Sequence, residues 1–283
     1  MENAMAELPL AIFTTLVPFG AGAFIMLAIS FFTTKFGADE LKKLDKLSIA
    51  PLAVVAVGFI ASFFHLASPF AAFGVFSGIG SSPLSNEIAM GIVFFVVALV
   101  YVIMAFTGKL TESSRKPFAV VVAVLALAFA VFTGMAYMMQ TIASWNTPLV
   151  PIEMVGLALL GGATFGAALI VAARGQGAES HSYVTAAFVL ALVGFAVALV
   201  ALIGHYGVLE ALSSSFVAGT TLAEGVTGYL VGFGVLGAAA VVLLAACMKK
   251  ASLGLAGAAA VLALVAIFLV RFAFYAIQLS VAL

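Results

Sequence analysis

The sequence predicts an all-α polytopic membrane protein, a single transmembrane domain of eight helices over residues 1–283, with both termini on the outer (periplasmic) side. Three observations predict it. Of 283 residues, 65% are apolar and only 8% charged, against about 25% charged in a soluble domain. The apolar residues fall in long continuous runs, not in alternating ten-residue segments, so they read as helices and not as barrel strands. The basic residues alternate from loop to loop, which fixes both the number of spans and their direction.

A bilayer core needs about 20 apolar residues per helix, and the runs supply this at 8–32, 47–67, 87–106, 118–139, 153–173, 183–205, 226–247 and 253–280. The first run follows an acidic leader, Met1 to Glu7, and is too long for the apolar core of a cleavable signal. The second ends around His65, stopped by Pro69, because a residue before proline avoids the helical region. The third begins with Glu87 in its first turn, with Ser85 or Asn86 as the capping residue. The fifth begins at Glu153, the sixth ends at His205, and the last carries Arg271 in its outer part. Gly162-xxx-Gly166 and Gly228-xxx-Gly232 read as helix-to-helix contacts. The remaining residues are too few for an extramembrane domain, so any soluble chemistry belongs to another protein.

Ten of the eleven basic residues lie in odd-numbered loops: Lys35, Lys42, Lys43 and Lys46, then Lys109, Arg115 and Lys116, then Arg174, then Lys249 and Lys250. The N-terminus, the even loops and the C-terminus have none. The positive-inside rule therefore places the odd loops in the cytoplasm and both termini outside. Eleven acidic residues balance eleven basic ones, and with no basic surface nucleic-acid binding is excluded. A single cysteine, Cys247, excludes an internal disulfide, a Cys-rich zinc site and an iron–sulfur cluster held by this protein alone. No metal site is expected.

The eleventh basic residue, Arg271, sits where a charge costs at least about 2.5–3.5 kcal/mol on insertion scales. It reads as a snorkelling anchor or an internal salt bridge, or else as a charge that orients a ligand headgroup or a docked partner. The same outer half holds His65, Glu87, Glu153 and His205, whose carboxylates have only Arg271 and the histidines as cationic partners. Taken singly, Glu153, His205 and Glu210 read as helix-end groups favoured by the helix dipole. His65 and Glu87 read differently as a pair. They flank a connection, ASPFAAFGVFSGIGSSPLSN, that is unusually apolar for a loop, and such a segment is expected to fold back against the bundle at the interface. A histidine and a carboxylate at the mouth of an apolar cleft suit a lipophilic hydroquinone. The imidazole takes a hydrogen bond from one hydroxyl, and the carboxylate carries a departing proton to water.

The segment FIASFFHLASPFAAFGVFSGIGSSPLSNEIAMGIVFF resembles the membrane anchor subunit of the anaerobic dimethyl sulfoxide reductase family, which typically shows HLGxP, an apolar stretch and LSxEI. The opening ELPLAIFTTLVPFGAGAF and the ending VRFAFYAIQLSVAL are similar to the two ends of that family, while residues from about 140 to 250 match only in hydropathy. Ala67 departs from the family's usual glycine. The resemblance implies eight helices with both termini outside, in agreement with the loop charges. It also implies a multi-pass protein of the cytoplasmic (inner) membrane that anchors an iron–sulfur electron-transfer subunit and a molybdopterin catalytic subunit on the outer face. Menaquinol is the implied substrate, with no haem, and the iron–sulfur clusters and molybdopterin belong to the partners only. The quinol-binding positions carry over to His65 and Glu87. Ser68, Arg271, Glu153 and His205 are candidates for a secondary site or the partner interface. No residue is assigned to catalysis of the terminal reduction.

Two alternatives stand beside this reading. A haem b cytochrome anchor needs two facing axial ligands, and only His65 and His205 lie near one depth, with His181 in an inner loop. A small-solute transporter tends to have discontinuous helices and ionisable groups near the midplane. Pro18 and its neighbouring glycines are the one feature that would break a helix.

Overall fold

A computed structural model describes residues 2–64, 69–175, 182–213 and 217–279. These residues form ten α-helices: α1 (Glu2–Ala6), α2 (Leu8–Thr33), α3 (Ala38–Leu47), α4 (Ile49–Phe63), α5 (Pro83–Phe106), α6 (Glu112–Ala136), α7 (Leu149–Arg174), α8 (Ser182–Glu210), α9 (Gly219–Lys249) and α10 (Leu253–Ala276). A 3₁₀ stretch, Pro69–Gly78, lies between α4 and α5. Eight segments are long and apolar enough to cross a membrane, the second of them running through α3 and α4 with Ser48 between. The protein is a multi-pass membrane protein.

The spans are not equivalent. In α2 and α7 the most apolar stretch is 78% buried, whereas in the other six it is 28–39% buried. These two helices form the axis, and the others pack around them with outward faces of Val, Ile, Leu and Phe such as Val200, Ile203, Val235 and Val242. Glycine makes the axis possible. A Cβ added at Gly22 would fall 2.1 Å from the Ala158 carbonyl oxygen, and one at Gly162 would fall 2.1 Å from the Gly22 carbonyl carbon. The two backbones touch, which in lipid replaces the hydrophobic drive that water would supply. Gly166 likewise meets Met26, and Gly232 meets the Leu269 side chain, but nothing lies within 4 Å of a Cβ at Gly228. The reading of Gly228 as a contact glycine is therefore corrected: α9 is open at that position.

Two ion pairs tie the odd loops together at one end of the bundle. Arg115 of α6 pairs with Asp45 of α3, and Arg174 of α7 with Glu40 of α3 at 3.3 Å. The helix α3 forms where the sequence reading placed only a loop. Its leucines, Leu41, Leu44 and Leu47, recur every three residues, and the Glu40 side chain accepts the Gly37 N–H at 2.9 Å at its start. At the opposite end the Ala143 N–H donates to the Leu279 carbonyl at 3.0 Å, and α1 packs against α10. Both described ends of the protein thus share the end of the bundle that bears no lysine.

Pro18 removes a helical donor but leaves α2 unbroken from Leu8 to Thr33. The helix break considered from sequence does not occur. The third span begins earlier than the sequence suggested. Pro83 takes the first helical position and Ser82 is the cap, its hydroxyl accepting the Ser85 N–H at 3.4 Å. Ser85 and Asn86 are inside the helix, and Glu87 moves from the first turn to the second. Proline is the better starting residue because its missing N–H is one of the donors left unpaired there in any case.

Candidate functional site

The polar residues of the lysine-free half meet at one depth. Glu87 and Glu153 are the fifth residues of α5 and α7, Arg271 and His205 lie five residues before the ends of α10 and α8, and Thr14 lies six residues into α2. At a rise of about 1.5 Å per residue, all sit within roughly 10 Å of the same end of the bundle. Five spans each contribute one group to a shared layer.

Arg271 is the hub. It is fully buried, so it does not snorkel. One terminal nitrogen, Nη1, donates to Glu153 Oε1 at 3.2 Å, and Nε donates to the Thr14 hydroxyl at 3.0 Å. The guanidinium carbon stands 4.1 Å from the centre of the Phe274 ring and 5.6 Å from the rings of Tyr137 and Tyr275. A desolvated cation over an aromatic face gains about 2 kcal/mol, which offsets part of its insertion cost. The aromatic wall is itself braced. Trp145 stacks on Phe274 at 4.9 Å and its Nε1–H donates to the Phe274 carbonyl at 2.9 Å. The Tyr137 and Tyr275 hydroxyls share a short hydrogen bond, and Tyr275 reaches the Thr14 hydroxyl at 3.4 Å.

Glu153 is also fully buried and stands between two cations or potential cations. Its Oε1 takes Arg271, and its Oε2 lies 3.7 Å from His205 Nδ1. On the far side of the ring, His205 Nε2 is 2.6 Å from the Ser144 carbonyl oxygen. A carbonyl only accepts, so Nε2 carries a hydrogen. Glu153, His205 and Tyr206 line a cavity of about 10 Å³, closed by Val226, Leu230, Val270 and Phe274, which is room for about one water molecule. Glu153 and His205, read singly as helix-end groups, are therefore parts of one interior ion cluster.

Glu87 lies on the other flank of Arg271. It is buried, faces Thr133 of α6, and is within the electrostatic reach of Arg271 and Tyr137. Among the described residues, its Oε1, the Thr133 hydroxyl and Arg271 Nη2 make no hydrogen bond. Glu87 and Thr133 thus face each other between α5 and α6, and Arg271 Nη2 is a third buried polar atom without a partner. Unmade hydrogen bonds of this kind cost about 1–3 kcal/mol each when nothing fills them.

The apolar connection before α5 packs against its start. A Cβ at Gly78 would fall 2.5 Å from the Ser85 hydroxyl, and the Asn86 side-chain oxygen accepts the Gly80 N–H at 2.7 Å. The segment touches α5 at the entry to the Glu87 helix while Phe76 and Ile79 stay exposed, so it covers less of the bundle than the sequence suggests. His65 and Ser68 lie outside the described residues. A larger apolar crevice, about 250 Å³, lies towards the lysine-bearing end between α2 and α6. It is lined by Ile29, Phe32, Val124, Leu127 and other apolar residues only. It offers nothing to a headgroup and suits hydrocarbon chains. Among the described residues, no three His, Cys, Asp or Glu side chains gather as a metal site would require.

Sequence reasoning missed Thr14, Thr133, Tyr137, Ser144 and Tyr275. Their common depth was the available signal. Tyr275 follows Arg271 by four residues and so shares its helix face. Tyr137 caps the end of α6 at the level where α7 begins.

Three relatives carry the name of anaerobic dimethyl sulfoxide reductase subunits. One, from Haemophilus influenzae, is 32% identical over 171 residues, which are 60% of this sequence and 61% of that protein. A second, YnfH of Escherichia coli, is 34% identical over 174 residues, 62% of this sequence and 61% of that one. A third, also from Escherichia coli, is 31% identical over 194 residues, 68% and 67% of the two proteins. The aligned part thus spans about three fifths of the first two relatives and two thirds of the third. The family model of the DMSO reductase anchor subunit matches residues 1–277, nearly the whole length. This protein belongs to the family of DMSO reductase anchor subunits.

Proposed function

We propose that this protein anchors a molybdopterin reductase complex in the cytoplasmic membrane and oxidises menaquinol there, passing electrons to an iron–sulfur subunit for reduction of dimethyl sulfoxide or a related acceptor. The observation that carries the reading is Glu87. It is a buried carboxylate with an unpaired oxygen, within reach of a buried cation and next to other unpaired polar groups, in a member of this family. A hydroquinone headgroup supplies what those atoms need: a hydroxyl to donate and a ring oxygen to accept. Its isoprenoid tail partitions from the lipid around the exposed apolar faces of α4 and α5, including Ile60, Phe63, Ile92 and Val96.

In this reading Glu87 accepts one proton from the hydroquinol, and His65 holds and deprotonates the second hydroxyl. The two electrons leave for a cluster in the iron–sulfur partner docked at the lysine-free end, since a single cysteine cannot hold a cluster here. The positive-inside rule puts that end outside, so protons leave there too. The molybdopterin subunit then carries the terminal reduction, and membrane lipid surrounds the anchor.

The test is quinol oxidation by the assembled complex. General-base removal typically costs about 10²–10⁴-fold, so Glu87→Gln and His65→Ala are each expected to slow quinol oxidation by at least about 100-fold. The partner subunits should stay bound and active with an artificial electron donor. Near-normal quinol oxidation in both variants would end the assignment.

A further inference from the structure

We propose that the apolar crevice between α2 and α6 binds an acyl chain of an anionic phospholipid, with Lys116 at its rim holding the headgroup phosphate. This site is independent of the quinol reading and lies towards the opposite end of the bundle.

The crevice has the length and the chemistry of a lipid chain. Its α2 wall runs from Ile25 to Phe32 and its α6 wall from Val120 to Leu127, which is about 10 Å on each helix at the usual rise per residue. Phe32 lies one residue from the lysine-bearing end of α2, and Leu159, which lines the crevice from α7, is near the middle of that helix. The crevice thus opens near the interface and runs towards the middle of the bundle. A single leaflet supplies about 15 Å of hydrocarbon over the same depth. Ala28 and Ala123 contribute the smallest side chains to the walls and leave the gap of about 250 Å³. Water needs polar partners, and these walls have none to give.

The polar contact stands at the rim. Lys116 precedes Val120 by four residues and so shares its face of α6. Its ammonium is 5.4 Å from the centre of the Phe32 ring, which joins the two walls at the mouth. Lys116 is exposed, and so is Lys35, three residues beyond Phe32. Two carboxylates of this end, Asp45 and Glu40, are already paired with Arg115 and Arg174, so they do not compete for Lys116.

These features select the occupant. The positive-inside rule puts this end at the cytoplasmic surface, where anionic headgroups are drawn to lysines beside the membrane. A phospholipid places its phosphate at the rim and its hydrocarbon below. A quinol tail carries no charge and gives Lys116 no role. A peptide would bring backbone polar groups that the walls leave unsatisfied.

The experiment measures binding of phosphatidylglycerol and of phosphatidylcholine, with the same acyl chains, to the intact complex in detergent by native mass spectrometry. One lysine at an anionic headgroup is worth about fivefold in affinity. The preference for phosphatidylglycerol is therefore expected to fall about fivefold in Lys116→Gln, a change at an exposed side chain. Ala123→Leu fills the crevice and is expected to remove the tightest site for both lipids. Val120→Phe narrows the mouth from a partly exposed position and should act the same way. Lys250→Gln is the control, at the end of α9, which packs chiefly on α10 and α8, and should change nothing. Equal weakening in Lys116→Gln and Lys250→Gln means diffuse attraction to a basic surface and overturns the proposal. Tight phosphatidylglycerol binding that survives both filling variants overturns it as well. A raised KM for quinol in Ala123→Leu with lipid binding unchanged gives the crevice to the quinol tail instead. If neither filling variant assembles, an unchanged lipid preference in Lys116→Gln is enough to overturn it.

Discussion

Two ion pairs, one at each end of the bundle, stand in different surroundings. At the lysine-bearing end, Arg174 and Glu40 pair at 3.3 Å with the Glu40 side chain 26% exposed. At the other end, Arg271 and Glu153 pair at nearly the same distance, 3.2 Å, with both side chains fully buried. The first pair sits at the water's edge and links loops. Water reaches its carboxylate and screens it in part, while the Arg174 side chain is only 8% exposed. The second has no water to fall back on, so every charge in it depends on its neighbours. Geometry alone does not make a site; the dielectric around it does. A buried pair costs more to build, and what it returns is coupling between groups on five helices.

The comparison can be broken by mutation. The largest stability effect is expected for Arg271→Met, which strands Glu153 as a buried carboxylate without its cation. Removing one partner of a buried ion pair costs about 3–5 kcal/mol, read as a lower unfolding midpoint in detergent or as loss of assembly. Arg271→Met combined with Glu153→Leu should recover part of that loss, since Glu153 is then no longer stranded while Glu87 still lacks the nearby cation. An unchanged midpoint in the single variant would contradict the burial argument.

A smaller effect sharpens the account of the axis. Gly162→Ala places a methyl against the Gly22 backbone and is expected to cost about 1–3 kcal/mol by overpacking. Gly228→Ala meets nothing within 4 Å and should be neutral or slightly stabilising, since alanine favours a helix over glycine by up to about 1 kcal/mol. Equal effects at the two positions would mean that the spacing of the motif matters and its surroundings do not. The smallest effect belongs to the screened pair. Glu40→Gln is expected to change the unfolding midpoint by the equivalent of less than about 1 kcal/mol, and less still in high salt.

Much of the architecture was legible in the residues. Eight spans followed from the length of the apolar runs, because a bilayer sets a minimum length that composition either meets or does not. The pairing of Glu153 with Arg271 was half legible: with no lysine or arginine in the even loops, charge balance left few partners. Its geometry was not, because the two residues are 118 positions apart and no local pattern joins them. The register of Glu87 differs by one turn from the sequence expectation because Ser85 and Asn86 also suit a cap, whereas Pro83 at the first helical position makes Ser82 the cap. The helix α3 escaped notice because its lysines and acids dominate the composition, although its leucines carry the period.

By itself, then, the sequence determined how many times the protein crosses the membrane, where its polar groups lie along each span, and which end carries the basic residues. These depend on local composition and length. Only the tertiary structure decided which polar groups at one depth meet: Arg271 with Glu153, Thr14 and Phe274, and His205 with Glu153 and the Ser144 carbonyl. Depth is a property of one helix, but contact also requires the rotation and neighbours of every helix. Those are set by close packing such as that of Gly22 on Gly162, which no single segment encodes.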